Sequence, residues 1–74
     1  PETTLEFDLP EPADVKLKVY DISGRLVAVL ADRTRYEAGR HRVVFRSEGL
    51  GSGIYFYRLE AGKFASTRRM VLLK

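Results

Sequence analysis

Seventy-four residues, 45% of them hydrophobic, with no cysteine and a net charge of +3, describe one small domain, residues 1–74, that keeps much of its surface wet. That size argues against a deep enzymatic cleft, and the missing cysteines exclude a disulfide staple or a thiolate metal site. No apolar run approaches the roughly 20 residues that span a bilayer, so direct membrane insertion is not expected.

The redox compartment stays open, because secreted domains without disulfides exist. The opening "PETTLEFDLP" is acidic where an export leader is basic and apolar. A start at Pro1 without methionine reads as a module excised from a larger chain that carries any address elsewhere. Charge is divided along the sequence. Glu2, Glu6, Asp8, Glu11 and Asp14 precede the first base, Lys16, leaving all 13 bases against five acids in the remainder. Such a division marks either a basic binding face or an acidic first strand lying beside basic ones and neutralising them, and the second reading is favoured. Asn and Gln are absent and the bases are nine Arg against four Lys. Loss of amides and cysteine is a habit of proteins from hot environments, and a G+C-rich genome produces the same arginine bias.

In chain order, "TLEFDL" alternates with Leu5, Phe7 and Leu9 on one side and Glu6 and Asp8 on the other, the period of a half-buried strand. The "PEP" at 10–12 stops it. "VKLKVY" repeats the pattern, with Val15, Leu17 and Val19 inward and Lys16 and Lys18 outward. "DISGR" at 21–25 supplies the Asp, Ser and Gly of a tight turn. "LVAVLA" is apolar at every position and predicts a third strand that is central or covered on both faces; its length and its valines favour strand over helix. Residues 32–40, "DRTRYEAGR", read as a polar loop closed by Gly39. "HRVVFR" predicts a fourth strand with His41, Val43 and Phe45 inward, and "SEGLGSG" turns the chain.

"IYFYRLE" and "FASTRRMVLLK" predict a hairpin about Ala61 and Gly62. A two-residue turn there sets Leu59 opposite Phe64, Tyr57 opposite Ser66 and Tyr55 opposite Arg68. Tyr55, Tyr57, Leu59, Phe64, Met70 and Leu72 then look inward, the tyrosine hydroxyls reaching the sheet edge or a backbone partner, with Ile54 and Phe56 outward. Short strands at regular spacing, with no helical period, predict an all-β fold: an antiparallel, immunoglobulin-like β-sandwich of about seven strands.

The chemistry-bearing patterns are sparse. "GLGSG" has the glycine density of a phosphate loop but opens a strand, so no row of free helix N–H groups awaits an anion. His41 stands alone and makes neither a triad nor a zinc site; a core or sheet-edge role fits it. The acids are spread singly, so no carboxylate pair or calcium loop can be argued. No catalytic, cofactor-binding or metal residues are assigned, and no cofactor is expected. Arg40, Arg42, Arg46, Arg58 and Arg69 form a conceivable stripe that, with Phe56 or Tyr36 between, would resemble a platform for single-stranded nucleic acid. A solvated polar face is the better reading, because the aromatics fall mostly inward, and no nucleic-acid partner is expected. Carbohydrate binding has only Tyr36 and Phe56 as platforms, with no tryptophan.

The ordered set "LEFDLPEPADVKLKVYDISGRLVAVL", "YEAGRHRVVF" and "GLGSGIYFYRLEAGKFASTRRMVLLK" resembles, over nearly the whole chain, the C-terminal sorting domain of type IX secretion, type A. The "VYDISGRLV" part is also similar to the immunoglobulin-like domain of flagellar hook-capping proteins. The family's "VYD..G" turn falls on Val19, Tyr20, Asp21 and Gly24, its "AG.H.V" on Ala38, Gly39, His41 and Val43, and its "SG.Y" on Ser52, Gly53 and Tyr55. The basic tail falls on Arg68, Arg69 and Lys74. Gly51 stands where many members carry proline and Arg69 where lysine is usual. Pro1 and Glu2 replace an expected asparagine-proline lead-in, as if the chain began inside the domain.

The resemblance implies a non-catalytic address label on a secreted enzyme or adhesin, exported through the periplasm to the outer membrane and the cell surface. Its implied partners are the outer-membrane secretion machinery, the processing peptidase and an upstream cargo domain of the same chain. Arg68, Arg69 and Lys74, with Lys74 as the native end, are the residues the machinery is expected to read, since edge docking needs a terminal strand with accessible backbone. The competing expectation is a structural or carbohydrate-binding accessory module that stays on its enzyme.

Overall fold

The computed structural model describes residues 2–73; Pro1 and Lys74, and with them the expected role of Lys74, lie outside the described residues. Six antiparallel strands follow one another: β1 (Glu2–Leu9), β2 (Ala13–Asp21), β3 (Leu26–Tyr36), β4 (Gly39–Arg46), β5 (Gly53–Ala61) and β6 (Phe64–Leu72). β1 pairs with β4 as a two-stranded sheet, and the others form a four-stranded sheet in the order β3-β2-β5-β6. The all-β antiparallel expectation holds, as a small sandwich consistent with the immunoglobulin-like class, with six described strands in place of about seven.

The alternation read from the sequence builds the core. Leu5 and Leu9 from β1 and Phe45 from β4 face Val15, Leu17 and Val19 of β2 and Tyr55 and Leu59 of β5, all buried. A two-stranded ribbon is marginal alone. Here its inner side chains are anchored on the larger sheet, which holds the two layers together by apolar contact.

Three expectations need correction. "LVAVLA" is neither central nor doubly covered: β3 is an edge strand, leaving Leu26 and Val29 about half exposed. A run that is apolar at every position reports no face, and only strand order shows which side lacks a cover. The polar stretch after it is largely strand, since β3 continues to Tyr36 and only Glu37 and Ala38 separate it from β4. A bulge opposite Lys16 absorbs Asp32 and Arg33, and Arg33 adopts φ +54°; such irregularities are common on edge strands, where they raise twist and interrupt pairing.

The final hairpin turns at Gly62 and Lys63, one residue later than expected, so Ala61 pairs with Phe64, Leu59 with Ser66, Tyr57 with Arg68 and Tyr55 with Met70. The later turn lets Ala61 extend the buried row begun by Tyr55 and Leu59. Each expected pair slips by two, an even number that leaves every side chain on its anticipated face. Phe64 is on the inner face as expected but remains 53% exposed, because the two-stranded sheet does not reach over it.

Candidate functional site

β6 is an edge strand, paired with β5 on one side and with nothing on the other among the described residues. Alternation sends Arg68 and Arg69 to opposite faces: Arg68 lies opposite Tyr57 on the inner side, Arg69 opposite Phe56 on the outer. Among the described residues neither forms an ion pair with a carboxylate. β6 itself carries no acid, so its free edge is a basic one.

Beside it, an open groove of about 560 Å³ separates β1 from the inner face of β5 and β6. Glu6 and Asp8 stand on one wall, Phe64, Ser66 and Arg68 on the other, over Leu17 and Leu59. Its hydroxyls, on Thr4, Tyr57 and Ser66, meet no imidazole, because His41 is not among the lining residues. His41 instead donates from Nε2 to the Glu37 carbonyl at 2.6 Å, and its ring packs against Phe7 and Tyr36 with centroids 5.4 and 4.8 Å away. The carbonyl can only accept, which places the proton on Nε2. Tyr36 also meets Phe7 edge-on at 5.3 Å, so it is a half-buried packing residue, not a free sugar platform. Among the described residues no cluster of His, Asp or Glu could hold a metal ion.

The arginines do not form one stripe. Arg40, Arg42 and Arg46 point outward from β4 and meet Asp8 at 3.3 Å, Glu6 at 2.8 Å and Glu2 at 3.4 Å across the β1 ladder. Arg58 and Arg69 are on the other sheet. Arg35 reaches Asp14 at 3.6 Å. The acidic opening therefore neutralises basic strands, the favoured reading of the charge division. All these pairs are exposed, and each contributes about 1 kcal/mol or less.

The β2–β3 turn is held by one carboxylate. Asp21 Oδ1 accepts from the Ser23 hydroxyl at 2.6 Å, the Ser23 N–H at 2.9 Å and the Arg25 N–H at 3.0 Å, while Oδ2 accepts from Arg25 Nε at 3.1 Å. The Gly24 N–H donates to the Asp21 carbonyl at 3.0 Å. Led by the Ser23 hydroxyl and then the Arg25 N–H, these bonds lower the Asp21 pKa from 3.8 to about 2. The folded value is depressed, so the stabilisation is complete above the unfolded value and disappears as pH falls through the folded one. Asp21→Asn should flatten the acid limb of a thermal-unfolding profile taken between about pH 5 and pH 2. An acid limb identical to wild type would show that Asp21 does not link folding to pH.

The chain matches the family described as the secretion system C-terminal sorting domain over residues 2–73. The chain belongs to that family. No curated protein and no solved structure matches it. The sorting domain is a non-catalytic secretion signal of type IX secretion, associated with export to the outer membrane and cell surface. The residues that carried the family pattern have structural work to do in it. Asp21 closes a turn, Gly24, Gly39 and Gly53 take positive φ, and the Tyr55 hydroxyl donates to the Gly51 carbonyl at 2.9 Å, the backbone partner anticipated for it. What sequence reasoning missed in the sorting domain is the groove and the half-exposed Leu26, Val29 and Phe64. The residue types were legible there; the extent of the two-stranded sheet over the larger one was not.

Proposed function

We propose that the secretion machinery reads the sorting domain at β6, through its free backbone edge and the cations Arg68, Arg69 and Lys74, and that a processing peptidase then separates it from a cargo domain carried upstream in the same chain. The observation that supports this reading is the combination at one strand: an unpaired edge whose two arginines have no carboxylate among the described residues. An edge offers N–H and C=O groups to an added strand, and unpaired cations select an acidic one. Arg68 and Arg69 flank the edge on opposite faces, so a strand added to β6 would pass between them and meet charge on either side.

The test is a fluorescent reporter carrying residues 1–74 at its C-terminus, with a signal peptide, in a bacterium that has type IX secretion. Surface arrival that depends on both the domain and the secretion channel supports the reading. Retention in the periplasm, with a native upstream extension also tried, would favour an accessory module instead. The double reversal Arg68→Glu with Arg69→Glu should lower surface reporter about tenfold, the effect of about 1.4 kcal/mol of lost recognition, with the unfolding midpoint unchanged. Undiminished export would remove the two arginines from the recognition site.

A further inference from the structure

The outer face of the four-stranded sheet carries more exposed apolar surface than a solvated face needs. The register sets Leu26, Tyr20, Phe56 and Arg69 in one row across β3, β2, β5 and β6. The next row brings Ile54 opposite Val71, and the row on the other side runs Val29, Lys18, Arg58, Thr67. Val19 on β2 and Tyr55 on β5 are buried on the inner side, which puts their neighbours Tyr20, Ile54 and Phe56 outward. Leu26 is 47% exposed, Val29 50%, Ile54 36% and Val71 59%, and Ile22, in the turn at the same end, is 71% exposed. Four of the eight large exposed hydrophobics among the described residues thus lie on one face, with a fifth, Ile22, in the turn that adjoins it. Scattered apolar residues need no explanation; a contiguous cluster crossing four strands marks an interaction surface.

The charges on that face say what fits it. The three rows hold Lys18, Arg58 and Arg69 and no carboxylate. Glu60 stands one row further on, already engaged by Arg58 Nε at 3.3 Å, and Asp21 in the adjoining turn is occupied by Ser23 and Arg25. A second copy packed face to face through a two-fold axis would bring Lys18 and Arg69 toward the same cations. Complementarity therefore calls for a different surface, apolar at its centre and edged with carboxylates. The apolar residues on the rows are partly covered by their neighbours, at 36–59% exposure for Ile54, Leu26, Val29 and Val71, and form a sheet face of the kind that a helix or sheet of another protein covers.

We infer that the Tyr20 end of this outer face, formed by Leu26, Val29, Ile54, Phe56 and Val71 with Lys18 and Arg69, docks an acidic, apolar-centred protein surface during export. The inference rests on the sorting reading, and it shares Arg69 with the β6 site but not the backbone edge: it uses side chains of a sheet face, and four of its five apolar residues, Leu26, Val29, Ile54 and Phe56, are on β3 and β5. The combined variant Leu26→Thr, Val29→Thr, Ile54→Thr leaves β6 and its arginines intact and substitutes β-compatible side chains at exposed positions. In the reporter assay it should keep its unfolding midpoint and lose surface arrival by about tenfold or more.

Wild-type reporter that never reaches the surface would defeat the sorting reading itself. Wild-type arrival with equal arrival of a folded triple variant would overturn only the docking face. Should the triple variant unfold, a photo-crosslinking amino acid in place of Val29 decides the matter in the otherwise wild-type reporter. The expected product is a crosslink to a protein segment that sequencing shows to hold carboxylates among apolar residues, weakened by Lys18→Glu. A crosslink to a second copy of the domain, to lipid or to nothing would overturn the inference.

Discussion

Phe45→Ala should cost about 3–5 kcal/mol of stability, the usual range for emptying a buried aromatic site, and leave much of the domain unfolded under mild conditions. Phe45 is 2% exposed and is the largest of the fully buried side chains. With Leu5 and Leu9 it is the buried part of what the two-stranded sheet contributes to the core, Phe7 and Val43 packing against it half-buried. A chain of 74 residues has a total stability of roughly 4–11 kcal/mol at about 0.05–0.15 kcal/mol per residue, so one such cavity consumes a large part of it. The neighbouring Val44, 49% exposed on the outer side of the same strand, supplies the control. Val44→Ala should stay within about 0.5 kcal/mol of wild type. Urea unfolding compares the two. Equal midpoints would mean that the sheets do not meet through Phe45.

Gly39→Ala and Gly53→Ala are each expected to lose about 1–3 kcal/mol, through backbone strain alone. Gly39 sits at φ +119° where β4 begins and Gly53 at φ +154° where β5 begins, conformations that a Cβ disfavours. Space is not the obstacle, because an added Cβ would meet nothing within 4 Å at either position. Gly51 is equally open and has no positive φ, so Gly51→Ala should be neutral or gain up to about 1 kcal/mol. The same three variants bear on export. If the family glycines serve the fold, surface arrival of the reporter should follow the folded fraction. Loss of export by a fully folded Gly39→Ala domain would instead make that backbone a contact of the machinery. Alanine variants at positions 39 and 53 as stable as the one at 51 would refute the strain argument.

Both predictions concern residues whose type was readable before their setting was known. Leu5, Leu9, Val15, Leu17 and Val19 announce an inner face by strict alternation, and Phe45 does so despite the apolar Val44 beside it, because a strand covered on one side separates its apolar and polar residues with a period of two. The final hairpin shows how tolerant this reading is: a turn displaced to Gly62 and Lys63 moved every partner by two and no side chain to the wrong face. β3 shows where it stops. "LVAVLA" lacks a polar phase, so the sequence offered no sign that β3 would be an edge with Leu26 and Val29 half exposed.

The candidate site divides in the same way. From the sequence came the family, the basic final strand, the outward direction of Ile54 and Phe56, and an acidic opening suited to neutralise basic strands. Composition and ordered motifs are local properties, and they survive without coordinates. Strand order and sheet overlap are not local. They decided that Arg40, Arg42 and Arg46 meet Asp8, Glu6 and Glu2 while Arg68 and Arg69 find no acid among the described residues. They also left Phe64 uncovered beside a groove and brought Leu26, Tyr20, Phe56 and Arg69 from four strands into one row. The physical reason is that a strand's own sequence sets which residues share a face, whereas the pairing of distant strands and the reach of one sheet over another set which of those faces meet water.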